Sequence, residues 1–370
     1  MGYLLLAACL VLAFLKPESK KATLLVLVYL WVIYALNTHT PDGVYYQKVY
    51  SSGKLVESFY YEPAYTVLMM ACRWLGLSFQ SFRIVLASVY IPLLYVAVRR
   101  LTQYTTYVLA LFAIFPLTYF YSVLRGGFAA LIIMFGLGYL VSNERFAGWK
   151  YVACVIVAML FHTSSALFLI LLYACTKLQA KWLLLLVGGM FAGCLLIRFT
   201  DIPYNIVSKF TQSERLLTWV RYSNDGDPNL KGYIGMAAAV LGSEFLSRVL
   251  RHQMRSVPLE RLAALQGDGL RMADVVYRVN AVMVILLPIM MLTSVYIRYI
   301  YQLFALNLCL CANAAGVTAK KTGKARFITA ASLLGLLWAI GYMVYSNLPF
   351  SLEHMRVYNF ENNLLYSLFR

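Results

Sequence analysis

Two ionisable side chains in long apolar stretches have the chemistry expected of a reactive site. Arg125 lies within LRGGFAALIIMF, and His162 lies within MLFHTSSALFLILLY. Arginine keeps its charge and presents a planar fork that fits phosphate oxygens. Histidine titrates near neutral pH and can take a proton from a hydroxyl group. The structural alternatives are an Arg125 that snorkels or pairs with an acid at a membrane interface, and a His162 whose hydrogen bonds only hold the fold together.

A second polar group occupies NTHTPDGVYYQKVY, residues 37–50. Asp42 is the candidate carboxylate, and it fits equally well a catalytic role and a Pro-Asp-Gly turn. Either His162 or Asp42 could serve as the base, and the sequence leaves this choice open. The catalytic candidates are therefore His162, Asp42 and Arg125, and the ligand-binding candidates are Arg125, Arg298, Tyr45, Tyr46, Tyr50, Arg221 and Tyr299.

The composition places these residues in a membrane protein. Of 370 residues, 62% are apolar and 13% are charged, whereas soluble domains have roughly 45–50% and about 25%. We predict an all-α, polytopic transmembrane helix bundle with about 11–14 hydrophobic segments, since about 20 residues are needed per crossing. The chain should form one integral membrane domain over 1–370, in contact with membrane lipids. The first block, Met1 to Leu15, has no preceding basic residue or convincing cleavage site, so we expect no cleavable signal peptide.

The net charge of +17 follows the positive-inside pattern, because most basic residues lie in short links between apolar blocks. We therefore expect no nucleic-acid partner. The pattern places outer loops at 37–61 and 200–231, a cytoplasmic link at 247–275 and an outer tail at 346–370. Two elements are too short to cross and are predicted to be re-entrant: the segment 62–76, and a hairpin with His162 at its tip. Arg125 and Arg298 then lie at the outer boundary, where few arginines are expected.

Metal and nucleotide chemistry find no support in the sequence. HExxH, P-loop, GxSxG and GxGxxG patterns are missing from any usable context. The carboxylates of the outer loops are too few and too scattered to suggest a metal site. We accordingly predict neither a metal nor a cofactor.

In order along the chain, these motifs resemble the EpsG/Wzy-type bacterial polysaccharide polymerases, which make O-antigen, exopolysaccharide or capsule. The resemblance rests on the Asn- and Tyr-containing loop, the following EPAYTVLMMACRWLGLSFQSFRIVLA, the Arg125 segment and the His162 hairpin. It covers roughly residues 30–180 and includes Arg298 as a matching late arginine. One departure is Gly126, where the family commonly has Gln.

The resemblance implies a glycosyltransferase that joins undecaprenyl-diphosphate-linked oligosaccharide repeat units at the outer face of the cytoplasmic membrane. It implies that Arg125 and Arg298 bind the diphosphate, that His162 or Asp42 is the base, and that Tyr45 and Tyr46 contact sugar. A chain-length regulator and a flippase are the implied protein partners. The alternatives are an O-antigen ligase or related lipid-carrier glycosyltransferase, and a flippase or transporter for the same lipids, although flippases often have internal repeats and none is found here.

A substitution at Arg125 tests this interpretation. Arg125→Ala should abolish polymer while leaving single repeat units, because the leaving diphosphate loses its fixed positive charge. Glycan chain lengths on a gel provide the measurement. Normal chain lengths in this variant would contradict the assignment.

Overall fold

The computed structural model describes residues 2–40, 42–52, 62–114, 117–142, 144–175, 180–199, 230–258, 269–285, 297–318 and 360–367, with a few isolated positions between them. Apart from one β-bridge, Asn37 with Asn363, the regular structure in these ranges is helical, and the all-α prediction is confirmed. The helices are α1 (Gly2–Leu15), α2 (Lys20–Ala35), α3 (Gly43–Ser52), α4 (Pro63–Trp74), α5 (Phe79–Leu101), α6 (Thr105–Ile114), α7 (Leu117–Ser122), α8 (Leu124–Ser142), α9 (Ala147–Phe161), a 3₁₀ helix (Thr163–Cys175), α10 (Ala180–Phe199), α11 (Leu230–Arg255), α12 (Gly269–Met283), α13 (Ile297–Thr318) and α14 (Leu364–Ser367).

Three helices are long and apolar enough to cross a membrane, judged by length and composition: Phe79–Leu101, Leu124–Ser142 and Tyr233–Arg255. Shorter apolar helices accompany them, including α1, α6 and α9. Local sequence sets the starts of the long elements. Ser78 caps α5 by accepting a hydrogen bond from the backbone N–H of Ser81 at 3.1 Å, as expected of a serine at an N-cap. The chain is a membrane protein built around these apolar helices.

The bundle has a basic end. There Arg100 pairs with Glu144 at 2.8 Å and Lys150 pairs with the same carboxylate at 2.5 Å. The hydrogen bonds from Lys150 and Ser142 lower the pKa of Glu144. Arg271, from a distant part of the chain, donates to the carbonyl of Leu140 at 3.0 Å. Basic segments that are far apart in sequence thus meet at one end of α8. This helix has 19 residues and is about 28 Å long at 1.5 Å per residue.

The two short elements predicted to be re-entrant are present. Helix α4 has 12 residues, or about 18 Å, and it ends in a Schellman-type turn. Gly76 adopts φ +72° there, and the Leu77 N–H donates to the Cys72 carbonyl at 3.0 Å, a pattern that favours glycine. The 3₁₀ helix folds back along α9, and Tyr151 Oη donates to the carbonyl of Phe168 at 2.7 Å. This antiparallel contact places His162 at the tip of the hairpin.

Several boundaries differ from the sequence-based prediction. The segment predicted to run outward before Arg125 consists of two helices, α6 and α7, and the turn falls at Val123, so Arg125 belongs to the first turn of the following helix, α8. Helix α11 continues to Arg255, past the predicted start of the cytoplasmic link. The predicted last span, most of the loop 200–231 and most of the tail lie outside the described residues.

The described part of the tail packs against the opposite end of the chain. The Thr38 N–H donates to the Asn362 carbonyl at 2.7 Å, and the Leu364 N–H donates to the Leu36 carbonyl at 2.8 Å. Asn363 Nδ2 reaches the carbonyl of Val32 at 2.9 Å. The final residues therefore complete the hydrogen bonds at the C-terminal end of α2, where the first loop begins.

Gly127 is required where α7 and α8 approach each other. A Cβ atom at this position would lie 2.6 Å from the carbonyl oxygen of Phe120, which is backbone and cannot rotate away. We expect Gly127→Ala to cost about 1–3 kcal/mol, the range for overpacking a tight site. Thermal unfolding of the purified protein in detergent measures the loss.

Gly189→Ala in α10 is the matched control, because nothing lies within 4 Å of its added Cβ. Alanine is the better helix former, so this variant should keep or raise the melting temperature. Equal melting temperatures for the two variants would contradict the close approach at Gly127.

Candidate active site

Three helix ends meet at the end of α8 opposite the basic cluster. Glu62 is the N-cap of α4, Arg125 is the second residue of α8, and His162 is the C-cap of α9. Local sequence fixes each end. Pro63 follows Glu62 and takes the first helical position, which suits its fixed φ. The extended backbone of His162, with φ −155°, ends α9 before the 3₁₀ helix begins.

The Glu62 carboxylate joins the other two side chains. Its Oε1 lies 2.9 Å from His162 Nδ1, and its Oε2 forms a close ion pair with Arg125 Nη1. The Glu62 side chain is 4% exposed, whereas those of Arg125 and His162 are each 29% exposed. A buried carboxylate is strongly disfavoured unless it is paired and hydrogen-bonded. Glu62 meets that condition because each of its oxygens has a partner.

The contact between Glu62 and His162 also determines the arrangement of protons on the imidazole. An ionised carboxylate only accepts hydrogen bonds, so Nδ1 must carry the hydrogen in this pair. We assign this tautomer from the hydrogen-bond network. In the neutral ring, Nε2 then carries the free lone pair. A histidine held in this way can accept a proton at Nε2, and the carboxylate stabilises the imidazolium that forms.

Tyr46 of α3 lies on the other side of Arg125. Arg125 Nε donates a long hydrogen bond to Tyr46 Oη at 3.4 Å, and the guanidinium carbon lies 5.3 Å from the centre of the tyrosine ring. Burial raises the pKa of Tyr46, while the charge of Arg125 opposes that rise. Tyr46 is therefore a neutral hydrogen-bonding phenol at neutral pH. Its neighbour Tyr45 is 59% exposed and packs edge-on against it at 5.9 Å.

The structure therefore brings together three of the predicted site residues, Arg125, His162 and Tyr46, with Tyr45 at the edge. Tyr50 has a packing role: its hydroxyl donates to the carbonyl of Leu77 at 2.8 Å and its ring stacks on Phe82 at 5.3 Å.

The remaining predicted residues are less informative. The backbone carbonyl of Asp42 accepts from the Tyr46 N–H at 3.1 Å at the start of α3. Arg298 and Tyr299 lie in the first turn of α13, but their side chains are not described. Arg221 lies outside the described residues.

Glu62 is the site residue that sequence analysis missed. Glu62-Pro63 was interpreted as the start of a short helix, which it is. The available signal was a carboxylate at the start of an apolar helix that was predicted to be re-entrant, since an ionisable group at membrane depth is costly and suggests function. The carboxylate beside His162 is thus Glu62.

The fold and the site define a class: an α-helical membrane protein with a charged Glu–Arg–His cluster where three helix ends converge. The chain belongs to the EpsG family, whose sequence profile matches residues 20–317. This is a family of polysaccharide polymerase-like proteins, and membership implies a polymerase-type biosynthetic enzyme. Neither curated proteins nor solved structures include a significant match to the chain.

The ion pair between Glu62 and Arg125 can be tested by a double-mutant cycle. Glu62→Gln leaves Arg125 without its counterion, and Arg125→Met leaves a buried carboxylate without its cation. The double variant removes both charges and should be more stable than the sum of the two losses predicts, with a coupling of about 1–3 kcal/mol. Chemical or thermal unfolding in detergent provides the four stabilities.

The pair between Arg100 and Glu144 at the basic end is the matched control. Its side chains are 23% and 37% exposed, and exposed pairs are weakened by solvent. The coupling between Arg100→Met and Glu144→Gln should therefore be smaller. Additive losses at Glu62 and Arg125 would contradict the geometry of the site.

Proposed function

We propose that the protein polymerises a bacterial polysaccharide by joining oligosaccharide repeat units linked to undecaprenyl diphosphate. The reaction takes place at the outer face of the cytoplasmic membrane, where the cluster of Glu62, Arg125 and His162 is open to substrate. The observation that carries the proposal is this cluster in a chain of the EpsG family. It combines a base with a fixed cation, the two groups that glycosyl transfer from a diphosphate carrier needs.

His162 acts as the general base in this proposal. The hydroxyl oxygen of the acceptor sugar attacks the anomeric carbon of the growing glycan, and its proton passes to His162 Nε2. The bond between the anomeric carbon and the phosphate oxygen breaks, and the electron pair leaves with the undecaprenyl diphosphate. One glycosidic bond forms and one glycosyl phosphate bond breaks, so no nucleotide sugar, oxidant or metal redox step is required.

Glu62 is a positioning residue with two roles. It holds Nδ1–H of His162 at 2.9 Å, which keeps the lone pair on Nε2. It also holds the guanidinium of Arg125 at the rim of the cluster. Removing the orienting carboxylate of a comparable catalytic triad leaves the geometry in place but stabilises the wrong tautomer.

Arg125 contacts the leaving diphosphate. Negative charge builds up on that group as the glycosyl bond breaks, and a preorganised cation stabilises the transition state. The guanidinium is 29% exposed and so remains within reach of a ligand while it is paired with Glu62. Tyr45, which is 59% exposed, extends the site with aromatic surface that suits a sugar ring, and Tyr46 packs behind it.

The direct experiment is a turnover assay. The purified protein in nanodiscs is incubated with synthetic undecaprenyl-diphosphate repeat units and no nucleotide sugar, and the products are run on a gel. A ladder spaced by one repeat unit is expected. Transfer of a single glycan to a different lipid acceptor would instead indicate a ligase, and movement of substrate between leaflets of liposomes without a ladder would indicate a flippase.

His162→Gln gives a sharper result in the same assay. The ladder should form roughly 10²- to 10⁴-fold more slowly, which is the usual contribution of a general acid–base group. Binding of the repeat unit should change little, since Glu62 and Arg125 remain. Initial rates at saturating substrate measure the effect.

His252→Gln is the matched control, because His252 is an exposed histidine of α11 next to the basic residues Arg251 and Arg255. It should polymerise at the wild-type rate. If His162→Gln also keeps that rate, the base is another residue, and Asp42 becomes the next candidate.

A further inference from the structure

Arg83 is a fully buried cation that the reaction scheme leaves unused. It lies in the first turns of α5, and 1% of its surface is exposed. Its Nη2 donates a long hydrogen bond to Asn37 Oδ1 at 3.5 Å. Among the described residues, its Nε atom has no hydrogen-bond partner and no carboxylate pairs with it. Arginine does not give up its proton in proteins, so within this part of the chain the charge is buried without a counterion.

The surroundings of Arg83 consist of phenols that can donate hydrogen bonds. Tyr34, Tyr121 and Tyr65 interact electrostatically with the guanidinium. The hydroxyl groups of Tyr34 and Tyr65 are buried and have no hydrogen-bond partner among the residues that the structure describes. Buried polar atoms are nearly always satisfied, and an exception calls for an explanation. Here several unsatisfied donors gather around one cation, which is the arrangement that an anion with several acceptor oxygens would satisfy.

This group of donors is continuous with the candidate active site. Tyr65 interacts electrostatically with Arg125 as well as with Arg83, and Tyr46, which contacts the Arg125 guanidinium, links Tyr65 to the active site. Its ring packs on Tyr46 at 6.0 Å and on Phe82 at 5.8 Å. Tyr46 and Tyr50 of α3 cover it from the loop side, being 4% and 5% exposed.

The charge balance shows why a second cation matters. Arg125 is paired with Glu62, so its charge is largely compensated before any ligand arrives. A diphosphate carries negative charge on both phosphates and accepts more hydrogen bonds than one guanidinium can donate. Arg83 lies next to the same tyrosines and has no counterion in the described part of the chain, and its bidentate fork suits a phosphate group.

We propose that Arg83, with the hydroxyl groups of Tyr34 and Tyr65, forms a second oxyanion subsite that adjoins the Arg125 site through Tyr46 and binds phosphate oxygens. The ligand class is a diphosphate, supplied by a polyprenyl diphosphate headgroup or by free diphosphate. The identity of the lipid rests on the proposed function, but the test below requires no turnover.

The test is an affinity measurement on the full chain in nanodiscs, with three probes: undecaprenyl diphosphate, undecaprenol and inorganic diphosphate. Wild-type protein should bind undecaprenyl diphosphate more tightly than undecaprenol. Arg83→Met should weaken diphosphate binding roughly 10- to 100-fold, the range for losing charge-assisted hydrogen bonds. It should leave undecaprenol binding unchanged.

Three further variants separate binding from folding. Arg83→Lys keeps the charge without the fork and should lie between wild type and Arg83→Met. The double variant Tyr34→Phe/Tyr65→Phe removes only hydroxyl groups and should also weaken diphosphate binding. If Arg83→Met does not yield folded protein, this double variant decides the question. Arg73→Met removes an exposed arginine of α4 and should behave as wild type.

Each outcome has a definite meaning. Wild-type diphosphate affinity in Arg83→Met, or in the double tyrosine variant, overturns the subsite. Arg83-dependent binding of the lipid but not of inorganic diphosphate supports the headgroup as the source, whereas equal binding of both supports free diphosphate. Arg83-dependent binding without any polymer ladder would support the subsite and contradict the polymerase function. A polymer ladder together with diphosphate binding that does not depend on Arg83 would support the polymerase function and contradict the subsite.

Discussion

The charge of the Glu62 carboxylate is the constraint on which the site depends. With 4% of its side chain exposed, it must be paired, and the partners it takes are the side chains of Arg125 and His162. These three residues come from three segments of the chain, so their pairing fixes where α4, α8 and α9 end relative to one another. Packing alone would allow the apolar helices to slide along each other, because lipid is as apolar as their side chains. The ion pair and hydrogen bond of the buried Glu62 carboxylate prevent such sliding at the candidate active site, where the relative positions of the side chains matter for the reaction.

The same principle operates in a weaker form at the other end of α8. There Glu144 holds Arg100 and Lys150, but these groups are partly exposed and solvent screens them. The charged groups at the two ends of α8 thus have different roles. At the basic end, ion pairs connect the segments that join the helices. At the opposite end, a buried carboxylate, a half-buried cation and an imidazole are held in fixed relative positions with one face open, which is the condition under which electrostatic preorganisation is effective.

Sequence analysis predicted the membrane class and the two short elements because apolar run length is a direct physical signal, while their re-entrant placement in a membrane stays a prediction. It identified Arg125 and His162 because ionisable residues are rare in such runs. It missed Glu62, since an acid before proline is already explained as a helix start, and its role depends on partners 63 and 100 positions away. Tyr50 is a predicted ligand-binding residue, and the structure packs its ring on Phe82. Tyrosines in one loop look alike in sequence, and only the packing of α3 separates Tyr46 from Tyr50.

The docked tail has a consequence for how the protein is made. Asn363 pairs with Asn37, and Asn37 in turn accepts from the Arg83 guanidinium at 3.5 Å. The backbone pairing of Asn37 can therefore form only after Asn363 has been synthesised. During synthesis, the ribosome must release the chain through Asn363, and the intervening helices must insert, before the entrance to the first loop takes its final shape. A nascent chain stalled before residue 360 would hold Glu62, Arg125 and His162, yet its first loop would lack its anchor.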